Sequence, residues 1–492
     1  MYKFHTKPYE HQKKSFEASW CLNHFALFME MGTGKSKVAI DTIAALFEAK
    51  KIDTALILAP KGVYDNWVKA EIPIHLPPRI NLSVLRWQPG LTKKFANDLK
   101  DFALPKLRKD NTLHIFVMNI EALSTDKGFD TAKDFISLNP NIITIVDEST
   151  TIKNRQAKRT KNVIHLGRLS KYTRILTGSP ITKSPMDLYS QCEFLKKDCL
   201  GLTSFFAYQN RYAIVVQKTL GRHSFREITG YRRLDELNES LDTFSYRVLK
   251  EDCLDLPKKI YIRREVALSP EQIKAYAQMK KLALTKLESG ELATTQSVLT
   301  QIMRLQQICC GFLRTDEEEL VPLKNNRLNE LLDIADEVQG KAIIWATWSH
   351  DIEMIAEALR RRFGSEAAAT YYGATPQNDR QEIVERFQDK DSSLRFFIGQ
   401  PKTGGYGITL TAANTMIYYS NSYDLEIRLQ SEDRAHRIGQ EQNVTYIDLM
   451  AVGPEFRGQK QKTIDEKIVK ALRDKINIAG QVLGEDSKQW LI

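Results

Sequence analysis

Along this chain the apolar residues gather into short blocks separated by longer amphipathic stretches. Phe25–Met29, Ala55–Ala59, His114–Met118, Ile142–Val146 and Arg174–Leu176 are strand-like blocks. Between them lie stretches of helical periodicity, such as Lys37–Ala49. A second series begins near Lys341 with Ala342–Ala346, Ala368–Tyr372, Arg395–Gly399, Met416–Tyr419 and Val444–Leu449. Strand alternating with helix predicts a parallel sheet covered by helices. The expected fold class is therefore α/β, with two parallel-sheet units.

The pattern between the two series is different. It predicts a mainly helical segment over 196–325, with long amphipathic helices at Ser269–Ser289 and Thr295–Cys310. Its first half is basic, through Arg211, Lys218, Arg222, Arg226, Arg232, Arg233 and Arg247. Such a series reads either as a solvated surface or as a contact for nucleic acid or a protein partner. The tail, 453–492, is polar and then helical over Thr463–Val482, as expected of a helix that packs back as a brace. The expected division is 1–195, 196–325, 326–452 and 453–492.

Composition narrows the class. A chain of 492 residues exceeds one ordinary core, so two or three domains are expected. Its 42% apolar and 27% charged residues are ordinary for a soluble protein. No stretch approaches the roughly 20 apolar residues of a membrane span, and Met1–Glu10 has no apolar signal-peptide core. A cytoplasmic protein with no membrane partner is expected. The cysteines Cys21, Cys192, Cys199, Cys253, Cys309 and Cys310 form no C-x-x-C pair and fit no zinc spacing, so they read as reduced thiols. The formal charge of +10 favours polyanionic partners.

The candidate chemistry begins at Met31-Gly32-Thr33-Gly34-Lys35-Ser36, which follows an apolar strand and opens an amphipathic helix. That is the setting of a phosphate-binding loop. Gly32, Thr33 and Gly34 let the backbone curl so that N–H groups face phosphate oxygens, and the helix N-terminus adds dipole charge. Lys35 would reach the β- and γ-phosphates of ATP, and Ser36 would bind Mg²⁺. The general pattern has glycine at the place of Met29. Ile142–Val146 then carries Asp147 and Glu148 to a strand's carboxyl end, where α/β sheets bind ligands. Asp147 would hold Mg²⁺ and Glu148 would polarise the attacking water. Gln12, in Pro8-Tyr9-Glu10-His11-Gln12, offers a donor and an acceptor together, which suits an adenine edge.

With these motifs in place, the chain resembles the superfamily-two helicases, and within them the Swi/Snf-type DNA-dependent ATPases. The similarity runs from about Pro8 to Ala471. Leu58-Ala59-Pro60 with Asn66-Trp67 and Glu71 resembles the family's first nucleic-acid segment. Asp147-Glu148-Ser149-Thr150 resembles its acidic box, and Leu176-Thr177-Gly178-Ser179-Pro180-Ile181 its coupling segment. Leu256-Pro257-Lys258-Lys259, Leu268-Ser269-Pro270 and Leu305-Gln306-Gln307-Ile308-Cys309 also fit, where such proteins insert helical protrusions. Gly404–Ala413 resembles the fifth motif, and Gln430-Ser431-Glu432-Asp433-Arg434-Ala435-His436-Arg437-Ile438-Gly439-Gln440 is very close to the sixth. Arg434 and Arg437 are three apart and are expected on one helix face. Such a face can present two guanidinium groups to a γ-phosphate, and an arginine finger would supply about 10³–10⁵ in rate. Three departures stand out. Thr150 ends the acidic box where the family usually has His, Met29 replaces an acidic residue usual before the phosphate loop, and the link between Val452 and Thr463 is unusually Lys/Gly-rich.

The resemblance implies two RecA-like lobes around one ATP, a helical insertion and a C-terminal brace. It adds Gly405 and Gln430 to the nucleotide site. It makes Pro60, Lys61, Asn119 and Thr409 candidates for gripping nucleic acid. The expected protein is a DNA-dependent ATPase that moves along double-stranded DNA and uses ATP and Mg²⁺. Protein partners would engage the middle segment or the tail. Two other functions remain open here: a strand-separating DNA or RNA helicase, and an ATP-gated clamp that hydrolyses poorly. With little beyond motor motifs, the chain is expected to be bacterial or phage-encoded.

Overall fold

The structure is a computed structural model that describes residues 2–61, 63–88, 92–104, 111–220, 223–253, 256–288, 295–315, 319–404, 408–456 and 459–483. It divides into two compact units, one built on Met1–Lys218 and Ser224–Asp255 and the other on Leu256–Ile476.

The first unit holds strands β1 (His24–Met29), β2 (Thr54–Ala59), β3 (Asn81–Arg86), β4 (Thr112–Asn119), β5 (Ile142–Asp147) and β6 (Tyr172–Leu176). A two-stranded hairpin, β7 (Ala213–Leu220) and β8 (His223–Tyr231), follows, and then β9 (Ser245–Val248). The sheet order is β3-β4-β2-β5-β6-β1-β9, parallel throughout. Side chains alternate between the faces of a strand, so a strand covered on both faces is a near-continuous apolar run. β1 shows this. Ala26 and Phe28 join one core layer with Leu56, Leu58, Phe116 and Met118. Phe25, Leu27 and Met29 join the opposite layer with Ala55, Ile57, Ile115 and Val117. Helices α1 (Glu10–Ser19) and α2 (Lys35–Glu48) contribute Phe16, Val38, Ile40 and Ile43 to that second layer.

One charged residue lies inside β6. Arg174 is fully buried, and its guanidinium donates to the carbonyls of Asn23 (3.2 Å), Thr173 (2.7 Å), Ser19 (2.8 Å) and Leu22 (2.7 Å). It therefore satisfies carbonyls at and just beyond the end of α1, which have no partners within the helix. Burial lowers its pKa to about 9.

The second unit contains β10 (Lys259–Ala267), the small antiparallel pair β11 (Phe312–Arg314) and β12 (Leu320–Pro322), and then β13 (Lys341–Trp345), β14 (Ala368–Tyr371), β15 (Phe396–Gly399), β16 (Ala413–Tyr418), β17 (Val444–Phe456) and β18 (Gln459–Lys462). Its main sheet runs β10-β17-β16-β13-β15-β14, with β18 antiparallel to β17. Ile344, Ile398 and Ile417 pack on one face, and Ile343, Phe397 and Met416 on the other. The fold is thus two α/β units with covered parallel sheets, as the hydrophobic pattern predicts.

The middle segment holds more strand than its pattern predicts. Besides the helices Pro270–Glu288 and Thr295–Cys310, it contains the β7–β8 hairpin and donates β9 to the first sheet and β10 to the second. In the Lys/Gly-rich link after Val452, β17 continues to Phe456 and β18 pairs with it over Gln459–Lys462. The last helix, Ile464–Leu483, begins in the second unit, where Ile464, Ile468 and Leu472 pack with Leu268, Cys309 and Leu425. Among the described residues no helix is long and apolar enough to cross a membrane, and all six cysteines are free.

Candidate nucleotide site

Three strand ends meet at the carboxyl edge of the first sheet, because β6 lies between β5 and β1 and all three run parallel. The segments leaving that edge are Glu30–Ser36 after β1, Glu148–Thr150 after β5 and Thr177–Gly178 after β6.

The first of these turns back on itself. The Thr33 N–H donates to the Glu30 carbonyl at 3.2 Å, and the Thr33 hydroxyl donates to the same oxygen at 2.7 Å. Gly32 and Gly34 have φ of +81° and +89°, a region that L side chains resist. A Cβ on Gly34 would also lie 2.2 Å from Gln12 Nε2. Gly34 caps α2, so the turn delivers Lys35 and Ser36 at a helix N-terminus, where backbone N–H groups and the helix dipole favour an anion.

Lys35 and Glu148 face each other, with Nζ 3.4 Å from Oε1 and both side chains about one-tenth exposed (11% and 10%). Glu148 has φ +47°, a left-handed turn that takes the chain from β5 into the short helix Ser149–Ile152. Asp147 is held at both oxygens. Oδ2 accepts from Trp67 Nε1 at 2.9 Å, and Oδ1 accepts from the Glu148 N–H at 3.0 Å. The structure therefore brings together Gly32, Thr33, Gly34, Lys35, Ser36, Asp147 and Glu148 at one edge.

Gln12 belongs to the same wall. Its Oε1 accepts from the Tyr9 N–H (3.0 Å) and its Nε2 donates to the Thr33 carbonyl (3.0 Å). His11 Nε2 lies 2.8 Å from that carbonyl, which can only accept, so this nitrogen carries the proton. The Gln12 amide here fastens the phosphate loop to α1.

Sequence reading missed three supports. It assigned Trp67 to a nucleic-acid segment, whereas its buried indole donates to Asp147. It gave Glu30 no role, whereas Oε2 accepts from the Lys250 N–H at 2.6 Å. It noted Arg247 only as one of a basic series. Arg247 Nη1 donates to the carbonyls of Phe28 (3.1 Å) and Gly178 (2.8 Å), which ties the β1 end to the segment after β6. The contacts of Glu30 and Arg247 follow from β9 lying beside β1, a pairing with no local signal.

Pro60, Lys61 and Asn119 are also neighbours. Ala59 pairs with Asn119 across β2 and β4, and Glu121 Oε2 accepts from the Lys61 N–H (3.1 Å) and from Asn119 Nδ2 (3.4 Å).

In the second unit, Gly405 lies outside the described residues. Ile408 and Arg434 join the fifth-motif and sixth-motif segments. Arg434 Nη1 donates to the Ile408 carbonyl (3.1 Å), Arg434 Nε donates to the Gln430 carbonyl (2.8 Å), and the Leu410 N–H donates to the Arg434 carbonyl (2.9 Å). Thr409 sits between these contacts and is half-buried. The expectation of a shared helix face for Arg434 and Arg437 is corrected. The helix Leu425–Glu432 ends before both, and they lie in the turns that follow. The turns are pinned from outside the helix. His436 Nε2 lies 2.8 Å from the Pro257 carbonyl, and Gln440 Nε2 donates to the carbonyls of Thr411 (3.1 Å), Ala413 (2.8 Å) and Ala435 (3.3 Å). Arg434 is buried and Arg437 half-buried. Gln430 donates to Glu426 Oε1 at 3.4 Å, and its buried Oε1 accepts no hydrogen bond among the described residues.

The chain matches the SNF2-related domain over residues 17–312 and the helicase conserved C-terminal domain over residues 323–439. It therefore belongs to the SNF2-related family of ATP-hydrolysing enzymes. It is 26% identical to YwqA of Bacillus subtilis, named as an ATP-dependent helicase/translocase, over 94% of this chain and 46% of that protein. It is 26% identical to the DNA annealing helicase and endonuclease ZRANB3 of Mus musculus, over 94% of this chain and 40% of that one. With the chromatin-remodelling subunit snf22 of Schizosaccharomyces pombe it shares 26%, over 92% and 26%. The chain thus spans less than half the length of these relatives. The Sulfolobus solfataricus SWI2/SNF2 ATPase core in complex with dsDNA is 22% identical with a TM-score of 0.42, over 100% of this chain and 96% of that one.

Proposed function

We propose that this chain is an ATP-driven motor that moves along double-stranded DNA and remodels DNA structures or DNA-bound proteins. The observation that carries the reading is the Lys35–Glu148 pair at 3.4 Å beside a doubly held Asp147, at the end of a glycine-built phosphate loop. The names of YwqA and ZRANB3 support translocation and DNA as the track.

ATP phosphates compete with Glu148 for Lys35. Glu148 then accepts a proton from water as the water oxygen attacks the γ-phosphorus and the bond to the ADP oxygen breaks. Mg²⁺ fits the donors present. Each Asp147 oxygen accepts one hydrogen bond and keeps a further lone pair, and Ser36 adds a hydroxyl at the start of α2. When bound, the metal neutralises phosphate charge. By resemblance, Arg434 and Arg437 neutralise the γ-phosphate, while Gly405 and Gln430 line the nucleotide. Gln12 reads adenine only by exchanging one of its two present hydrogen bonds. A γ-phosphate that both lobes contact favours the closed form, and its loss lets them open. Pro60, Lys61, Asn119 and Thr409 grip the backbone, so binding is salt-dependent and largely sequence-independent. The segment 196–325 and the tail 453–492 set substrate and partner preference.

Displacement of a third strand from a DNA triplex tests this. ATP-dependent displacement without separation of the duplex is the expected result. Separation of duplex strands instead would establish the strand-separating helicase, and ATP binding without hydrolysis would establish the clamp.

A further inference from the structure

Gln191 lies in the helix Leu188–Leu195 and is fully buried in the first unit. Its Oε1 accepts from the Ser149 hydroxyl at 2.7 Å, and its Nε2 donates to the carbonyls of Pro180 and Asp187, each at 2.8 Å. Only one orientation of the amide satisfies these neighbours. Both carbonyls can only accept, so the NH₂ group must face them, and the oxygen is left for a hydroxyl that donates. Ser149 directly follows Glu148, and Pro180 follows Thr177-Gly178-Ser179. One side chain thus touches the loop carrying Glu148 and the segment leaving β6.

That second segment also lies against the phosphate loop. A Cβ on Gly178 would stand 3.1 Å from the Met31 nitrogen. The base of the segment is fixed separately. The Asp187 carboxylate accepts from the N–H groups of Thr182 (3.0 Å) and Lys183 (2.7 Å), and Lys153 Nζ donates to the Thr182 hydroxyl at 2.7 Å. Ser190, next to Gln191, donates to the carbonyls of Ile152 (2.7 Å) and Lys153 (3.0 Å) and reaches neither Ser149 nor Pro180 by any of these bonds. A buried amide is costlier to place than an apolar side chain unless its bonds are made, and a satisfied buried network fixes the relative position of what it joins.

We propose that Gln191 is a positioning residue that couples the Glu148–Ser149 turn to the Gly178–Ile181 segment, so that nucleic acid engaged by the protein changes the rate of ATP hydrolysis. The inference rests on the motor reading above. A change in the Glu148 turn moves the Ser149 hydroxyl, and the rigid amide passes that displacement to the Pro180 carbonyl.

The experiment measures kcat and KM for ATP, with and without duplex DNA, for the full chain and for Gln191→Met, Gln191→Glu and Ser190→Ala, with a thermal melt of each. Met keeps the bulk and removes the bonds. Glu keeps the acceptor for Ser149 and, protonated in this buried place, donates to only one of the two carbonyls. Both are expected to hold basal kcat and KM within about twofold and to lose about fivefold or more of the DNA stimulation, the scale of an ordinary coupling energy. Ser190→Ala is expected to lower the melting temperature and keep the stimulation. Should Gln191→Met not fold, Gln191→Glu gives the result alone. Undiminished stimulation in the Gln191 variants, or an equal fall of basal and stimulated rates, overturns the coupling and leaves the motor standing. An unchanged parent that no nucleic acid stimulates overturns the motor reading and the coupling with it.

Discussion

Replacing Trp67 by phenylalanine separates two roles for the segment after β2. The indole is fully buried and gives its one N–H to Asp147 Oδ2 at 2.9 Å. Phenylalanine keeps most of the ring and loses that donor. A hydrogen bond to a charged group contributes about 1.5–3 kcal/mol net. Asp147 would keep only the Glu148 N–H at Oδ1. If Asp147 serves the metal, a loss of about 1.4 kcal/mol in its placement corresponds to a tenfold change in an equilibrium. The half-saturating Mg²⁺ concentration for ATP hydrolysis is therefore expected to rise about tenfold in Trp67→Phe. Duplex affinity without nucleotide should stay within about twofold. The assay is an Mg²⁺ titration of hydrolysis beside a fluorescence anisotropy titration with duplex DNA. An unchanged Mg²⁺ profile with a clear fall in DNA affinity would refute the Asp147 role and return Trp67 to the nucleic-acid segment.

Two further predictions concern buried charge. Arg174→Met strips three carbonyls around the end of α1, and that of Thr173 in β6, of their shared donor and should destabilise the first unit by about 3 kcal/mol, read as a lower denaturation midpoint; an unchanged midpoint would mean those carbonyls find other donors. Asp351, in the first turn of the helix Ser349–Phe363, has its pKa pushed up to about 8 by burial, partly offset by Arg327 and the Cys310 thiol. The folded carboxyl binds its proton more tightly than the unfolded one, so the unfolded state carries fewer protons between about pH 4 and 8, and stability falls as pH rises across that window. Asp351→Asn removes this dependence, so its gain in melting temperature over the parent should be larger at pH 8 than at pH 5; equal gains at both pH values would show that Asp351 stays ionised.

Much of this was legible in the sequence for a physical reason. β1, β2, β5, β13 and β15 are covered on both faces, and their unbroken apolar runs stand out. Gly32 and Gly34 are visible because their backbone angles need glycine. Of the strands at the sheet margins, β14 was legible and three others were not. β3 and β10 are edge strands with exposed positions, and β9 is four residues long, so none has a clear period. The hairpin β7–β8 sits in a basic stretch, and most of its described side chains are exposed or half-buried. Side-chain contacts such as Trp67–Asp147, 80 residues apart, depend on which strands become neighbours. The arginines after Glu432 obeyed helical spacing in sequence while the chain turned under contacts from Pro257 and Gln440.

Steady-state ATP hydrolysis by the full chain, without nucleic acid and with single-stranded DNA, duplex DNA or RNA in turn, tests the central claim most directly, with Lys35→Ala as the blank. Hydrolysis strongly stimulated by duplex DNA and absent from the Lys35→Ala variant is the predicted result. Bound ATP that is not hydrolysed under any of these conditions would contradict the account.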